Sequence, residues 1–382
     1  MIFVMKILVF FALITVSFTL VAEERPLSAC QLEIKEHCPN ETGRPNTINC
    51  LLKLEKEVTP QCKQELQRLG KVVEATGARG SGGLSSFGGV MGGIGLLPPK
   101  KTIVSLNGQL APEGNPTVIE QSKINIATPI WSDGGESFSM SVNAGRLSFN
   151  EQQSFDTGIK TPKELNRIEL GAQYSKALKS KRMFGLRTSI GSASDKPFHG
   201  SDEITFSLNS FYTNPGSTEN THWIWTVFLS NNNPLINYVP IPGFIYLYKT
   251  EKFTGMFGLP FLSIQWTPIE PWIFSMSYFI TNFNSEIAYG FRDKVQTFTG
   301  FSISQQSFLR ADRDELRDRL FFNEKKIFAG IRSPLTKSIS GEIQSGMAFD
   351  RKLKEGESFN DTEMESDFGR SWYLGMSLNI LI

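Results

Sequence analysis

Four cysteines carry the most evident chemistry in the chain: Cys30, Cys38, Cys50 and Cys62 lie within 33 residues, and none occurs in the 320 that follow. Four thiolates could hold a tetrahedral zinc ion. Intervals of seven, eleven and eleven residues, however, lack the short Cys-x-x-Cys knuckle of structural zinc sites. Paired oxidation suits the spacing better, as in small exported units that cannot bury enough core alone. Three connectivities are open. Cys30 with Cys62 and Cys38 with Cys50 is favoured, because helices starting near Ser28 and Thr47 would form a hairpin that joins the inner pair across the PNETGRPN turn. A third helix is expected from Thr59-Pro60, with Leu66, Leu69, Val72 and Val73 as its apolar side.

Catalysis has little to work with. His37 sits among the cysteines, His199 in a turn and His222 at a strand start, and no Gly-x-Ser-x-Gly context supports a hydrolase. No catalytic residue, metal or cofactor is therefore assigned, and the chain is not expected to be an enzyme. The run RADRDELRDR at 310–319 offers Asp312, Asp314, Glu315 and Asp318 as carboxylates, without the glycine turn of a calcium loop. It reads as a solvated loop laced with ion pairs, with a divalent-cation or lipopolysaccharide contact as the functional alternative. The glycine-rich stretch 77–95 has no Gly-Lys-Ser/Thr end and so is not a phosphate loop. It is a flexible linker or the plug of a lumen, and composition does not separate the two.

The elements that position these residues follow from hydropathy. Residues 1–22, one lysine followed by an apolar stretch ending at Ala22, have the layout of a secretory signal peptide, which places the cysteines in an oxidising compartment. Residues 23–76 form the cysteine-rich helical module and 77–100 the linker or plug. The module resembles the cysteine-rich repeat of Golgi apparatus protein one, on Cys38, Cys50-Leu51 and Cys62; that resemblance implies no enzymatic role.

From residue 101 to 382 the period is two. Phe138, Met140, Val142 and Ala144 share one face and Ser139, Ser141, Asn143 and Gly145 the other. The pattern recurs in Ile168–Leu170–Ala172–Tyr174, in Phe184–Leu186–Thr188–Ile190 and in Ile204–Phe206–Leu208. The polar faces are rich in Ser, Gly, Asn and Gln rather than Lys and Glu, which suits a barrel interior better than the solvent face of a sandwich. A chain with 30 Phe, 12% aromatic residues and only 20% charged residues fits that reading, because the phenylalanines fall mostly on the lipid side. Phe149, Phe228, Phe279 and Phe328 fall on the other side, and the pattern gives them no role. With 39 basic and 38 acidic residues, no nucleic-acid surface is expected.

The fold class is thus mainly β: an antiparallel transmembrane β-barrel of about 12 strands, with 14 as the alternative, preceded by a small disulfide-bonded α-helical module. The proline-rich stretch from Asn237 to Phe279 is the weakest part of that count, since central strands avoid proline. Trp131, Trp223, Trp225, Tyr246, Tyr248, Trp266, Trp272 and Trp372 are expected as interface girdles. Parity turns Arg167, Glu169, Arg187, Glu286, Arg292, Arg332 and Glu342 into the lumen, as a selective constriction or as pairs that close it. Trp372, Leu374, Met376, Leu378, Ile380 and Ile382 point one way on the last strand. This resembles the terminal strand that the barrel assembly machinery reads, with Ile382 where such strands usually carry Phe. Gly258-Leu259-Pro260, Pro271-Trp272 and AFDRKL at 348–353 resemble an uncharacterised family of bacterial outer-membrane barrels, over about the last 280 residues. The expectation is an outer-membrane protein of a Gram-negative bacterium, a passive pore or small-solute channel, with its cysteine module in the periplasm. Its partners would be outer-membrane lipids and lipopolysaccharide, the barrel assembly machinery and a periplasmic protein. The alternative is a structural or adhesive barrel with a filled lumen, whose module docks the periplasmic partner.

Overall fold

The computed structural model describes Cys30, Cys62, Pro99 and residues 101–110, 119–218, 220–233, 237–291, 293–313, 315–360 and 362–382. The signal peptide, the helices of the module, Cys38, Cys50, the glycine-rich stretch, Arg292 and Asp314 lie outside the described residues. Two compact units divide the chain, Met1–Ser81 and Gly82–Ile382. In the first, Cys30 is disulfide-bonded to Cys62, both fully buried.

The second unit is an antiparallel barrel. Its strands are β1 (Ile103–Leu110), β2 (Ile119–Asp133), β3 (Glu136–Phe149), β4 (Glu164–Ala177), β5 (Met183–Ser194), β6 (Ile204–Pro215), β7 (Thr221–Ser230), β8 (Ile241–Lys249) and β9 (Phe253–Leu259). They continue as β10 (Phe261–Trp266), β11 (Trp272–Phe279), β12 (Asn282–Tyr289), β13 (Gln296–Phe308), β14 (Arg319–Pro334), β15 (Ile339–Gly356), β16 (Met364–Asp367) and β17 (Ser371–Leu381). Each strand pairs with the next up to β15; β15 then pairs with β17, and β17 with β1. The short β16 pairs only with the end of β15, so 16 strands close the ring. Closure gives each of these 16 strands two neighbours, as a bilayer requires.

Sixteen strands replace the expected 12 or 14. The difference lies in the proline-rich stretch, which contributes β8 to β11, of nine, seven, six and eight residues. Its prolines cost little there. Pro242 is the second residue of its strand, Pro260 forms the turn between β9 and β10, and Pro268 and Pro271 lie in the turn before β11.

Both ends of the sheet, Ile103 and Leu381, lie on one rim, called here the terminal rim. The connections there are short, such as Gly134-Gly135 and residues 250–252, whereas the opposite far rim carries the longer loops 150–163, 195–203, 231–240 and 309–318. The outer face is apolar: Met140, Val142, Ile168, Leu170 and Ile190 are all exposed, Leu170 at 54% and Ile190 at 58%. Large side chains this exposed on most strands of the ring suit lipid rather than water. Aromatic rings collect at the terminal rim, where Trp223 packs on Tyr246, Trp225 on Phe244, Trp266 on Phe274 and Trp272 on Tyr289. Trp131, packed on Phe138 and Tyr174, belongs to the same band. Trp372 stands apart, exposed at the far-rim start of β17.

The inward phenylalanines have three uses. Phe211 and Phe328 lie over glycines on the neighbouring strand, their direct cross-strand partners Gly185 and Gly300, and Phe298 lies over Gly330 in the same way. A ring over a glycine fills the gap left by the missing side chain. Gly185→Val is therefore expected to cost about 1–3 kcal/mol by overpacking, because a Cβ there would stand 2.1 Å from Cζ of Phe211. A lowered urea midpoint for loss of the folded band checks it. Phe228 and Phe279 line the lumen. Phe149 belongs to a core at the far rim with Ile119, Leu147, Phe155, Leu165, Phe308, Leu320, Phe322, Leu353 and Phe368, stacked on Phe368 at 4.8 Å.

That core exists because the barrel is pinched. Strands β5 and β13 are eight places apart around the ring in either direction, yet their far ends meet in a parallel bridge between Ser194 and Leu309. Leu309 N donates to Ala193 O at 2.7 Å, and Asp195 N to Leu309 O at 3.3 Å. A β-bulge at Asp350–Arg351 serves the same end. It lets two residues of β15 oppose one of β14, so Arg351, Leu353 and Glu355 turn inward above the bulge as Gln344, Gly346 and Ala348 do below it. The buried Arg351 guanidinium then donates to the carbonyls of Phe368 and Gly369, fastening β16 over the core.

Candidate functional site

The lumen is the candidate site, and its charges come from alternate positions of strands that are apolar on their other face. Of the residues assigned inward from sequence, Arg167, Glu169, Arg187, Glu286, Arg332 and Glu342 face it; Arg292 lies outside the described residues.

Toward the terminal rim, Arg332 of β14 is shared. Its Nη2 donates to Glu286 Oε1 at 2.7 Å and its Nε to Gln296 Oε1 at 2.8 Å, while Glu342 Oε2 lies 3.9 Å from Nη1. The guanidinium stacks over Phe298, 4.9 Å from its centroid. One cation thus serves two buried carboxylates, and the aromatic face and the amide oxygen add to its hold.

Further in, Glu324 pairs with Lys326 and accepts from Gln121 Nε2 at 2.8 Å. This joins β14 to β2, four places away around the ring. Lys326 also lies 5.2 Å over the Tyr373 ring. On β4, Arg167 pairs with Glu169 at 3.3 Å, donates to Ser307 O at 2.8 Å and lies over Phe308. Arg167 is a strut across the lumen, so its charge is already committed.

At the far rim, the run 310–319 departs from the solvated loop expected of it. Asp312, Glu315, Leu316 and Arg317 are exposed, but three arginines turn inward and use carbonyls as partners. Arg310 Nε reaches both oxygens of Glu355, at 2.9 and 3.0 Å. Arg313, its side chain 3% exposed, donates to Arg310 O and Asp202 O and pairs with Glu203. Arg319 donates to Leu316 O, Asp318 O and Asn231 O. The loop is therefore a latch binding β13 and β14 to the loops after β5 and β7, reinforced by Asn232 and Ser307 hydrogen-bonding to each other. The physical reason is that a guanidinium has five donors in a planar fork, enough to satisfy several carbonyls of a folded loop at once. On its exposed side Asp312 is held below the usual carboxylate range by its hydrogen bond from Lys196. Among the described residues no cluster of three or more metal-ligating side chains forms. His199 is on a far-rim loop and His222 on the terminal-rim end of β7, so the structure does not bring them together.

Between the latch and the Arg332 group lies a cavity of about 510 Å³. One wall is polar, with Asn107, Gln121, Lys123, Asn143, Arg187 and Ser189; the facing wall is apolar, with Phe228, Ile241, Ile245, Phe261 and Phe279. Lys123 was missed as a site residue although its signal is legible: in Lys123-Ile124-Asn125-Ile126 the isoleucines face lipid, so the lysine must face in. The terminal-strand residues Leu374, Met376, Leu378 and Ile380 are half-buried, and Trp372 and Ile382 are exposed.

No family model matches the chain, and no curated protein matches it. The resemblances to an uncharacterised barrel family and to the cysteine-rich repeat thus gain nothing beyond the barrel itself. Among solved structures, the chain is similar to the COG4313 outer membrane channel from Pseudomonas putida F1, at 8% identity and a TM-score of 0.33 over 75% of this chain and 97% of that one. It is similar to the Pseudomonas putida toluene transporter TodX at 8% identity and a TM-score of 0.33, over 76% and 93% of the two chains. A third is the NanC porin, at 8% identity and a TM-score of 0.26, over 72% and 98%.

Proposed function

We propose that this chain is an outer-membrane channel for small solutes. The observation that carries the reading is a closed 16-strand ring, apolar outside, around a cavity of about 510 Å³ with a polar wall. An apolar outer face needs lipid, and a cavity of this size holds one small molecule at a time. The path is one-sided. Half of the far rim is sealed by the Phe149 and Phe322 core and the latch, so solutes leave beside the short strands β8 to β12. In this reading the terminal rim faces the periplasm, where the cysteine module would meet a protein partner. Lipopolysaccharide borders the far rim, and the assembly machinery takes up β17.

Refolded protein in planar bilayers and in solute-loaded liposomes tests this. Discrete conductance steps and efflux of small solutes are expected; neither, from protein that shows the heat-modifiable mobility of a folded barrel, would overturn it. The far-rim core specifically favours the second reading, a structural barrel, and the silent outcome is the one that reading requires.

A further inference from the structure

Gly145 of β3 lies on the lumen face with a cation on either flank. The register sets Lys123 of β2 directly opposite it on one side and Arg167 of β4 on the other, and all three line the cavity. The backbones of the two cations stand about 10 Å apart, twice the strand spacing, so both long side chains extend over a residue that has none. A Cβ at Gly145 would make only ordinary contacts, with Ser122 O at 3.7 Å and Cβ of Arg167 at 3.9 Å, which leaves room there for a group of a few atoms. Along β3 the same face bounds that space. Leu147, two residues toward the far rim, pairs with Leu165 inside the far-rim core, and Asn143, two residues the other way, lines the cavity.

Charge says what belongs in that space. Arg167 gives one N–H to Glu169 and another to Ser307 O, and Glu169 takes its charge. Lys123 is half-buried, has no ion pair and no hydrogen-bond partner among the described residues, and lies within electrostatic reach of both Arg167 and Glu169. Two cations and one carboxylate leave a single positive charge unmatched beside an apolar core, where it is costly without an anion. A monoanion balances the group, whereas a dianion would add repulsion from Glu169. Arg187, the other lining cation without a partner, lies six residues along β5 from Ala193, the residue opposite Arg167, and takes no part.

We propose that Lys123, Asn143 and Arg167 form a seat for one small carboxylate, which occupies the space over Gly145 with its oxygens on the ammonium, the amide and the free N–H groups of the guanidinium. On the channel reading, this is where the carboxylate of a solute rests beneath the far-rim core; the seat rests on that reading for its meaning, but not for its test.

Urea titration of the folded band of the full chain reads the seat whether or not the barrel conducts. Sodium acetate should raise the midpoint of the wild type above that in an equal concentration of sodium chloride, and Lys123→Gln should abolish the difference while still folding, as judged by heat-modifiable mobility. Gly145→Asp builds the carboxylate into the chain. It should be more stable than Gly145→Asn by about tenfold in the folding equilibrium constant, lose that gain when Lys123→Gln is added, and no longer respond to acetate. Acetate acting equally on the wild type and on folded Lys123→Gln overturns the seat, whatever the aspartate variant does; so does a folded Gly145→Asp no more stable than Gly145→Asn. In bilayers, Lys123→Gln should move the reversal potential in a salt gradient away from anion selectivity. An acetate response without conductance keeps the seat and sinks the channel, and conductance without the response does the reverse.

Discussion

Arg332→Met is expected to lower the unfolding free energy by about 3–5 kcal/mol, the usual cost of removing one partner from a buried ion pair. Glu286 and Glu342 would remain, their side chains 5% and 13% exposed, with no other cation among the described residues in an ion pair with either. The methionine would keep the packing on Phe298 while losing the charge, so the effect reads electrostatics rather than volume. Urea titration of the folded band measures it, and Glu286→Gln in the same background should recover part of the loss. An unchanged midpoint for Arg332→Met would mean that water already compensates the carboxylates, and that the lumen is wide and wet at this level.

Replacing residues 311–317 by a short Gly-Ser linker is expected to raise single-channel conductance several-fold. The excised segment holds Arg313 and the Leu316 carbonyl, through which the latch grips Glu203, Asp202 and Arg319. The latch also carries its own pH dependence. Burial and the nearby carboxylates of Glu363, Glu355 and Glu315 push Asp318 up to about 6, against the pull of Arg319. A carboxyl whose folded value is raised favours the folded loop when neutral. That contribution is fully present below the ordinary carboxylate range and is lost as the pH rises through about 6. Conductance at pH 7.5 should therefore exceed that at pH 5, and Asp318→Asn should flatten the difference. A loop-excised channel with wild-type conductance would place the narrowest point elsewhere, at the Arg332 group.

Much of the barrel was legible in the sequence, and the reason is local. Side-chain parity along a strand is set by the pleat, so Ile168 and Leu170 facing out and Arg167 and Glu169 facing in follow from four adjacent residues. The strand count failed where the local rule is weakest, at Pro242, Pro260, Pro268 and Pro271, because a proline near a strand end looks the same in sequence as one that breaks a strand. The latch and the far-rim core could not be read at all. Phe149 meets Phe322 and Phe368, and Leu309 meets Ala193, across the ring, and no short-range pattern records that. Arg310, Arg313 and Arg319 look like surface charges until the carbonyls they serve are in place.

The seam between β5 and β13 has a consequence that comes from counting. In a ring of alternating strands, members separated by an even number of steps run in the same direction. Either circuit from β5 to β13 takes in nine strands, an odd ring, and an odd ring of antiparallel strands cannot close on itself antiparallel. The bridge of Ser194 to Leu309 therefore had to be parallel, and it is. A parallel closure between strands that diverge below it has no ladder to extend, so the seam holds two backbone hydrogen bonds where its neighbours hold many. The sixteen-strand frame closes without the seam, so what holds β5 to β13 is these two hydrogen bonds together with the side chains of the core and the latch.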